Sequence, residues 1–301
     1  MTVSDQVDVW HDQGVQPPTP SPTEHGQASS PLVLGRGPAA VAGATALVTG
    51  ALLGGGAFAG TLPYAVGTLI AQLALVATWC LVTRPPGLLG AAVIGTLTAI
   101  AADGVALATD SGEIGPLVAV LAGAFGATTL AQLGRGVTRR NVTESFGATL
   151  TIAVAVIALA TTVTLRRTND TGLVDVSVLA ATAGILLARL ADLVLPRPAA
   201  HPDVPRGIPG LVLGSLVGAG VGALCAAAGS DVSVGSTSTA SLTGFLVATA
   251  AVLADLGVDY ARAGRLAAGT EPTGGLIGAA LGPLIAVAVA APIGYLIGLT
   301  L

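Results

Sequence analysis

Asp255 and Asp259 stand four residues apart in the run Ala254-Asp255-Leu256-Gly257-Val258-Asp259-Tyr260-Ala261-Arg262. Residues four apart lie one above the other on a helix, so both carboxylates project from one face. Two convergent carboxylates can hold Mg2+ beside substrate phosphates. The same spacing also describes an ordinary charge cluster at a helix end, with Arg262 as a partner for Asp259. Arg189 and Asp192, three apart, are neighbours on another helical face. They make either a local ion pair whose arginine reaches toward the interface or a phosphate or metal site. Asp103 stands alone in an apolar stretch with no basic residue in its own segment. A Ser or Thr from another helix, or a proton, would satisfy it, and an acid inside a membrane is also a candidate for proton or ion handling.

These groups sit in a chain with little other charge. Of 301 residues, 52% are hydrophobic and 9% charged, where a soluble domain carries about a quarter charged residues. That excludes a water-soluble globule, a disordered chain and a nucleic-acid binder held by phosphate contacts. Apolar runs near the ~20 residues that cross a hydrocarbon core occur at 38–60, 62–83, 87–109, 115–134, 145–165, 173–195, 208–229, 240–260 and 274–299. Pro85-Pro86, the Asn169–Gly172 turn and the Pro196–Pro209 loop are among the breaks between them. The strict alternation of a barrel strand is absent. The expectation is an all-α fold, a polytopic integral membrane helix bundle of about nine transmembrane helices over 38–301. Residues 1–37 hold Asp5, Asp8, Asp12, Glu24 and a proline-rich run at Pro17, Pro18, Pro20 and Pro22, but no apolar run. They read as a disordered cytoplasmic tail, not a signal peptide.

Cytoplasmic loops carry the excess of basic residues. With the N-terminus inside, the inner segments hold Arg36, Arg84, Arg135, Arg139, Arg140, Arg197, Arg206, Arg262 and Arg265, and the outer ones only Arg166 and Arg167. The outer loops carry Asp110, Glu113, Asp170 and Asp231 instead. The N-terminus is therefore expected inside and the C-terminus outside, in the cell membrane. Tyr64, Trp79, Phe146, Tyr260 and Tyr295 fall near span ends, as an interfacial belt would place them, and Asp175 is expected to meet water. Cys80 and Cys225 fall near opposite faces, too far apart to bridge, and are expected to be free thiols.

Lipid does not drive helices together by the hydrophobic effect, so small residues become the packing device. Gly210, Gly214, Gly218 and Gly222 repeat every fourth position in the seventh span; Gly274, Gly278 and Gly282 do so in the ninth, followed by Ala286 and Ala290. Each row makes a groove for a second backbone, within the chain or between chains; a pore lining is the alternative. Pro283 and Pro292 should bend the ninth helix, and Gly54, Gly55 and Gly56 weaken the first. A Walker loop, a paired-histidine metal motif and a Gly-x-Ser-x-Gly elbow are all absent. Asn141-Val142-Thr143 matches a glycosylation sequon but falls on the expected inner side.

The last three spans resemble the phosphatidate cytidylyltransferase (CDP-diacylglycerol synthase) family. The glycine row Gly210 to Gly222 resembles one of its spans, Ala254-Asp255-Leu256 its Gly-Asp-Leu, and Thr273-Gly274-Gly275 its His-Gly-Gly. Asp259, Arg262 and Ala263 stand where the family has Ser, Lys and Arg. The family's Asp-Arg is Gly278-Ala279 here, and its Asp-Ser is Leu281-Gly282. Those acids hold divalent metal in the family, so the resemblance, over about 175–301, implies a fold relative that has lost the reaction. The functional expectation is a non-catalytic membrane protein acting as a lipid-binding or scaffold component. It would meet anionic phospholipids through the inner arginines, with a membrane-protein partner or a second copy as further possibilities. The alternatives are a small-molecule or ion transporter using Asp103, and an active CTP-dependent enzyme using Mg2+ with Asp192, Asp255 and Asp259.

Overall fold

Helices form where the apolar runs are long enough to satisfy their own backbone in lipid. The computed structural model describes residues 36–109, 112–136, 141–168, 171–195, 197–201, 204–228, 236–269 and 275–300. The tail at 1–35 and Asp110, Arg139, Arg140, Asp170, Asp231 and Gly274 lie outside the described residues. Those described form α1 (Arg36–Ala59), α2 (Thr61–Thr83), α3 (Leu88–Ala108), α4 (Gly115–Gly134), α5 (Val142–Arg167), α6 (Thr171–Val194), β1 (Ala199–His201), β2 (Val204–Gly207), α7 (Ile208–Ala227), α8 (Thr237–Ala267) and α9 (Gly278–Thr300). All nine helices are long and apolar enough to cross a membrane. The chain is an all-α, polytopic helical bundle, a multi-pass membrane protein.

Local chemistry sets the breaks. Gly60, at φ +119°, turns the chain between α1 and α2, a conformation that L side chains resist. Pro85 and Pro86 lack the N–H that would prolong α2, and Gly87 at φ +83° opens α3. Ser236 caps α8, its side chain accepting from the Thr239 N–H at 3.3 Å. α8 has 31 residues, so at about 1.5 Å each it exceeds the ~30 Å hydrocarbon core. One departure from an all-helical reading lies in the Pro196–Pro209 loop. There β1 and β2 pair antiparallel, and the Ile208 N–H donates to the Pro198 carbonyl at 2.9 Å.

The outside of the bundle is apolar: Phe58 is 80% exposed and Leu89 78%, as side chains facing lipid would be. Inside, Leu53, Leu75, Leu159, Leu173 and Ile185 are enclosed where α1, α2, α5, α6, α8 and α9 meet. A second cluster joins α2, α3 and α5 through Val76, Ala99 and Ile152. A third joins α3, α4 and α5 through Ala102, Leu117 and Ala160.

The seventh-span glycine row packs as its spacing predicts. A Cβ at Gly214 would stand 2.6 Å from the Gly184 carbonyl of α6, and one at Gly218 2.5 Å from the Gly244 carbonyl of α8. Gly222 faces the Ala240 backbone and Gly210 faces Asp192. The row thus serves contacts within this chain. The ninth-span row is mixed. Gly282 backs onto Asp255 and Arg189, whereas Gly278 meets nothing nearer than Val82 at 3.9 Å and is not a close-packing glycine. α1 runs unbroken through Gly54–Gly56, where Gly56 admits the backbone of α2 at Tyr64.

Contacts between loops define two ends. Arg135, after α4, reaches the Pro86 carbonyl before α3 at 3.4 Å. This basic end also carries Arg84, Arg197 and the β1–β2 hairpin. At the opposite end, Arg166 of α5 donates to the Ala57 carbonyl of α1, and Tyr295 of α9 donates to the Gly112 carbonyl at 2.6 Å. Tyr64 and Tyr295, expected in an interfacial belt, are instead buried inside the bundle; Tyr260 is exposed. Tyr295→Phe keeps the ring but leaves the buried Gly112 carbonyl without its donor. It should lower stability by about 1–3 kcal/mol, read as a lower melting temperature in detergent. Cys80 and Cys225 are not joined in a disulfide, as expected.

Candidate functional site: a buried arginine and aspartate cluster

The acids singled out in the C-terminal half come together, but not as a metal seat. Asp255 and Asp259 share the inner face of α8 with the buried Ala248, Ala251 and Val252. Arg189 and Asp192 come from the last turns of α6. The fifth member is Arg206 of β2. Alternate strand residues share a face, and Val204 and Arg206 are both turned inward, 1% and 3% exposed. The hairpin therefore folds an arginine into the bundle at a position that looked like an ordinary inner-loop charge.

Asp255, fully buried, is the hub. Arg189 Nη2 lies 2.6 Å from its Oδ1, and Arg206 Nη1 lies 2.9 Å from its Oδ2. Arg206 also holds Asp192, Nε to Oδ2 at 2.9 Å, while the Gly207 N–H donates to Asp192 Oδ1 at 2.9 Å. Asp259 Oδ2 lies 3.0 Å from Arg189 Nη1 and 3.5 Å from Arg206 Nη1. Asp192 Oδ2 and Asp259 Oδ2 have close guanidinium neighbours but no contact of hydrogen-bond geometry, so their three guanidinium contacts are Coulombic. Gly282 of α9 makes room for the hub: a side chain there would collide with Asp255 and crowd Arg189.

Two expected pairings are corrected. Arg189 does not spend itself on Asp192, three residues away; it crosses to α8, and Asp192 goes to Arg206. Arg262 is only half-buried and takes no part in the ion pairs of Asp259. The cause is burial: in low dielectric a guanidinium goes to the acid that shares its enclosure, whereas a neighbour reaching toward water gains little. As a Mg2+ seat the donor set does not fit, because each carboxylate already faces a guanidinium that would repel a cation. Among the described residues, no three His, Cys, Asp or Glu side chains gather as metal ligands.

Asp103 lies elsewhere, between α2, α3 and α5. Gln72 Nε2 donates to Asp103 Oδ1 at 3.0 Å and to the Val156 carbonyl at 2.9 Å. The partner is an amide, where a Ser or Thr hydroxyl or a proton was expected. Asp175, expected to meet water, is half-buried, and its Oδ1 is enclosed without a partner. At the basic end a 180 Å³ cavity is lined by Arg135, Gln132, Ser145, Thr149 and the backbone of Gly87. Arg135 Nη1 donates there to Gln132 Oε1 at 3.1 Å and to Ser145 Oγ at 3.3 Å.

Neither family models, nor curated proteins, nor solved structures match this chain.

Proposed function

We propose that this chain is a non-catalytic protein of the cell membrane, with its basic end and N-terminus in the cytoplasm, that binds anionic phospholipid as a lipid-binding or scaffold component. In this reading it is a relative of the phosphatidate cytidylyltransferases that has kept the helical frame and lost the metal chemistry. One observation carries the proposal: Asp192, Asp255 and Asp259 are enclosed and each is matched to Arg189 or Arg206, so the acids hold helices and leave no open carboxylate face for a nucleotide. The lipid half rests on the same end of the bundle, where Arg84 and Arg197 are exposed and Arg135 borders a cavity with Gln132 and Ser145. Headgroup phosphates are natural partners for such arginines.

The test is native mass spectrometry of protein extracted with its lipids. Wild type should retain an anionic phospholipid. Arg84→Ala and Arg262→Ala, both outside the buried cluster, should each weaken retention about fivefold, the effect of roughly 1 kcal/mol per surface arginine. Wild type that retains no anionic lipid overturns the lipid reading. Turnover of CTP and phosphatidic acid with Mg2+ by purified protein overturns the non-catalytic one. Reagents that reach the Arg139–Arg140 loop from outside overturn the orientation. A second reading, small-molecule or ion transport, has the membrane-buried Gln72–Asp103 pair behind it.

A further inference from the structure

Gln72 and Asp103 leave two acceptors without a donor. Gln72 spends both hydrogens of its amide, one on Asp103 Oδ1 and one on the Val156 carbonyl. Since a carbonyl and a carboxylate only accept, this fixes the amide orientation and leaves Oε1 as an acceptor. Gln72 Oε1 and Asp103 Oδ2 are both buried with no hydrogen-bond partner; Gln72 is 0% exposed and Asp103 5%. An unmet polar group in a membrane interior is costly, so these neighbouring oxygens call for a donor. A Mg2+ or Ca2+ ion would need six or more oxygens, which this enclosure does not assemble.

The pair continues a row of polar side chains along α2. Tyr64, Thr68 and Gln72 repeat every fourth residue on the enclosed face of α2, all fully buried. They form a polar row about 12 Å long at 1.5 Å per residue. Thr68 Oγ1 donates to the Tyr64 carbonyl at 3.0 Å, which leaves its lone pairs facing out as acceptors. The Tyr64 hydroxyl is buried beside Thr162 and Thr68 and makes no hydrogen bond of good geometry. Arg166 lies 5.4 Å from the Tyr64 ring centre, at the opposite end of the bundle. Buried polar atoms of this kind are ordinarily met by ordered water.

We propose that Asp103 is a proton-binding site inside the membrane, served from the opposite end by water along the Tyr64–Thr68–Gln72 row. A hydronium delivers the proton. The bond formed is Oδ2–H, the negative charge of the carboxylate disappears, and neutral water is left behind. The new O–H is a donor in a place that has only acceptors. Titratable or charged groups on the surrounding helices sit toward the ends: Arg36 on α1, Tyr64 and Cys80 on α2, Glu144, Arg166 and Arg167 on α5, Asp175 on α6 close to Tyr64 and Arg166, and Tyr295 on α9. α3 has no other, and α4 has none between Gly115 and Gly134. Of these, Tyr64, Arg166 and Asp175 lie at the outer end of the row. This site is independent of lipid binding at the basic end.

Infrared difference spectroscopy of the full chain in lipid vesicles, stepped from acidic to alkaline buffer, tests it. The expected result is a protonated-carboxyl band that shifts in heavy water and is lost in Asp103→Asn. Gln72→Leu should move that band, because Oδ1 loses its donor. Tyr64→Phe and Thr68→Val should slow its deuterium exchange several-fold without removing it. If Asp103→Asn does not fold, isotope-labelled aspartate in wild type and in Asp175→Asn assigns the band instead. An Asp103 ionised at every pH tested overturns the site. Exchange at the wild-type rate in both row variants overturns the path.

Discussion

Arg206→Met should be the most damaging single substitution in the cluster, lowering stability by about 3–5 kcal/mol, as breaking a buried ion pair by removing one partner does. The charge count explains the choice. Three carboxylates face two guanidiniums, and Arg206 touches all three acids. Without it Asp192, Asp255 and Asp259 confront Arg189 alone, in an enclosure where the repulsion is poorly screened. Removing an acid works the other way: Asp255→Asn leaves two carboxylates for two guanidiniums and keeps the side-chain volume. It should cost less than Arg206→Met although Asp255 is the more deeply buried residue. Combining Arg206→Met with Asp192→Asn should recover part of the loss, because contacting groups are not additive. Thermal unfolding in detergent reads all four proteins. An Asp255→Asn protein less stable than Arg206→Met would show that hydrogen bonding at the hub, not charge balance, decides the site.

Gly218→Val should separate α7 from α8 and lower stability by about 3 kcal/mol or more, the upper range for forcing extra volume into a packed interior. A Cβ there would collide with Ala248 and with the Gly244 carbonyl, and main chain cannot turn aside as a side chain can. Gly220 is two residues away on the outer face, where a Cβ would meet nothing within 4 Å. Gly220→Ala should be neutral or slightly stabilising, since alanine favours helix over glycine by about 1 kcal/mol. Equal losses at the two positions would mean that the spacing of the row is not what holds the helices.

The helices were legible because membrane crossing is a length requirement written directly in composition. The run at 115–134 coincides with α4; α5 and α8 each start three residues earlier than expected, where Thr143–Glu144 and Thr237–Thr239 make the first turn polar, and α9 starts four residues later, past Gly275 at φ +49°. The glycines of α7 were legible for a similar reason, since a four-residue spacing has one geometric meaning on a helix. Gly278 shows the limit: the same spacing means close packing only if another helix arrives, and there only Val82 approaches. Arg206 was hidden because its role is made by a hairpin turning inward, 49 residues from Asp255 along the chain. Spacing within one helix instead pointed to Arg262 and to an Arg189–Asp192 pair. For Asp103 the acid was visible, but not its amide partner 31 residues earlier. That pairing depends on which helices pack side by side, which local sequence does not record.

The separation of Arg189 from Asp255, 66 residues, has a consequence for biosynthesis. A ribosome delivers α6 with its arginine and aspartate well before α8 exists. Until the hairpin brings Arg206 fourteen residues after Asp192, the nascent helix has only its own i,i+3 charge pair to offset the desolvation of either group. The local partnership rejected in the finished protein is thus the first one available to the growing chain; Arg206 then takes Asp192, and α8 brings the acids that take Arg189.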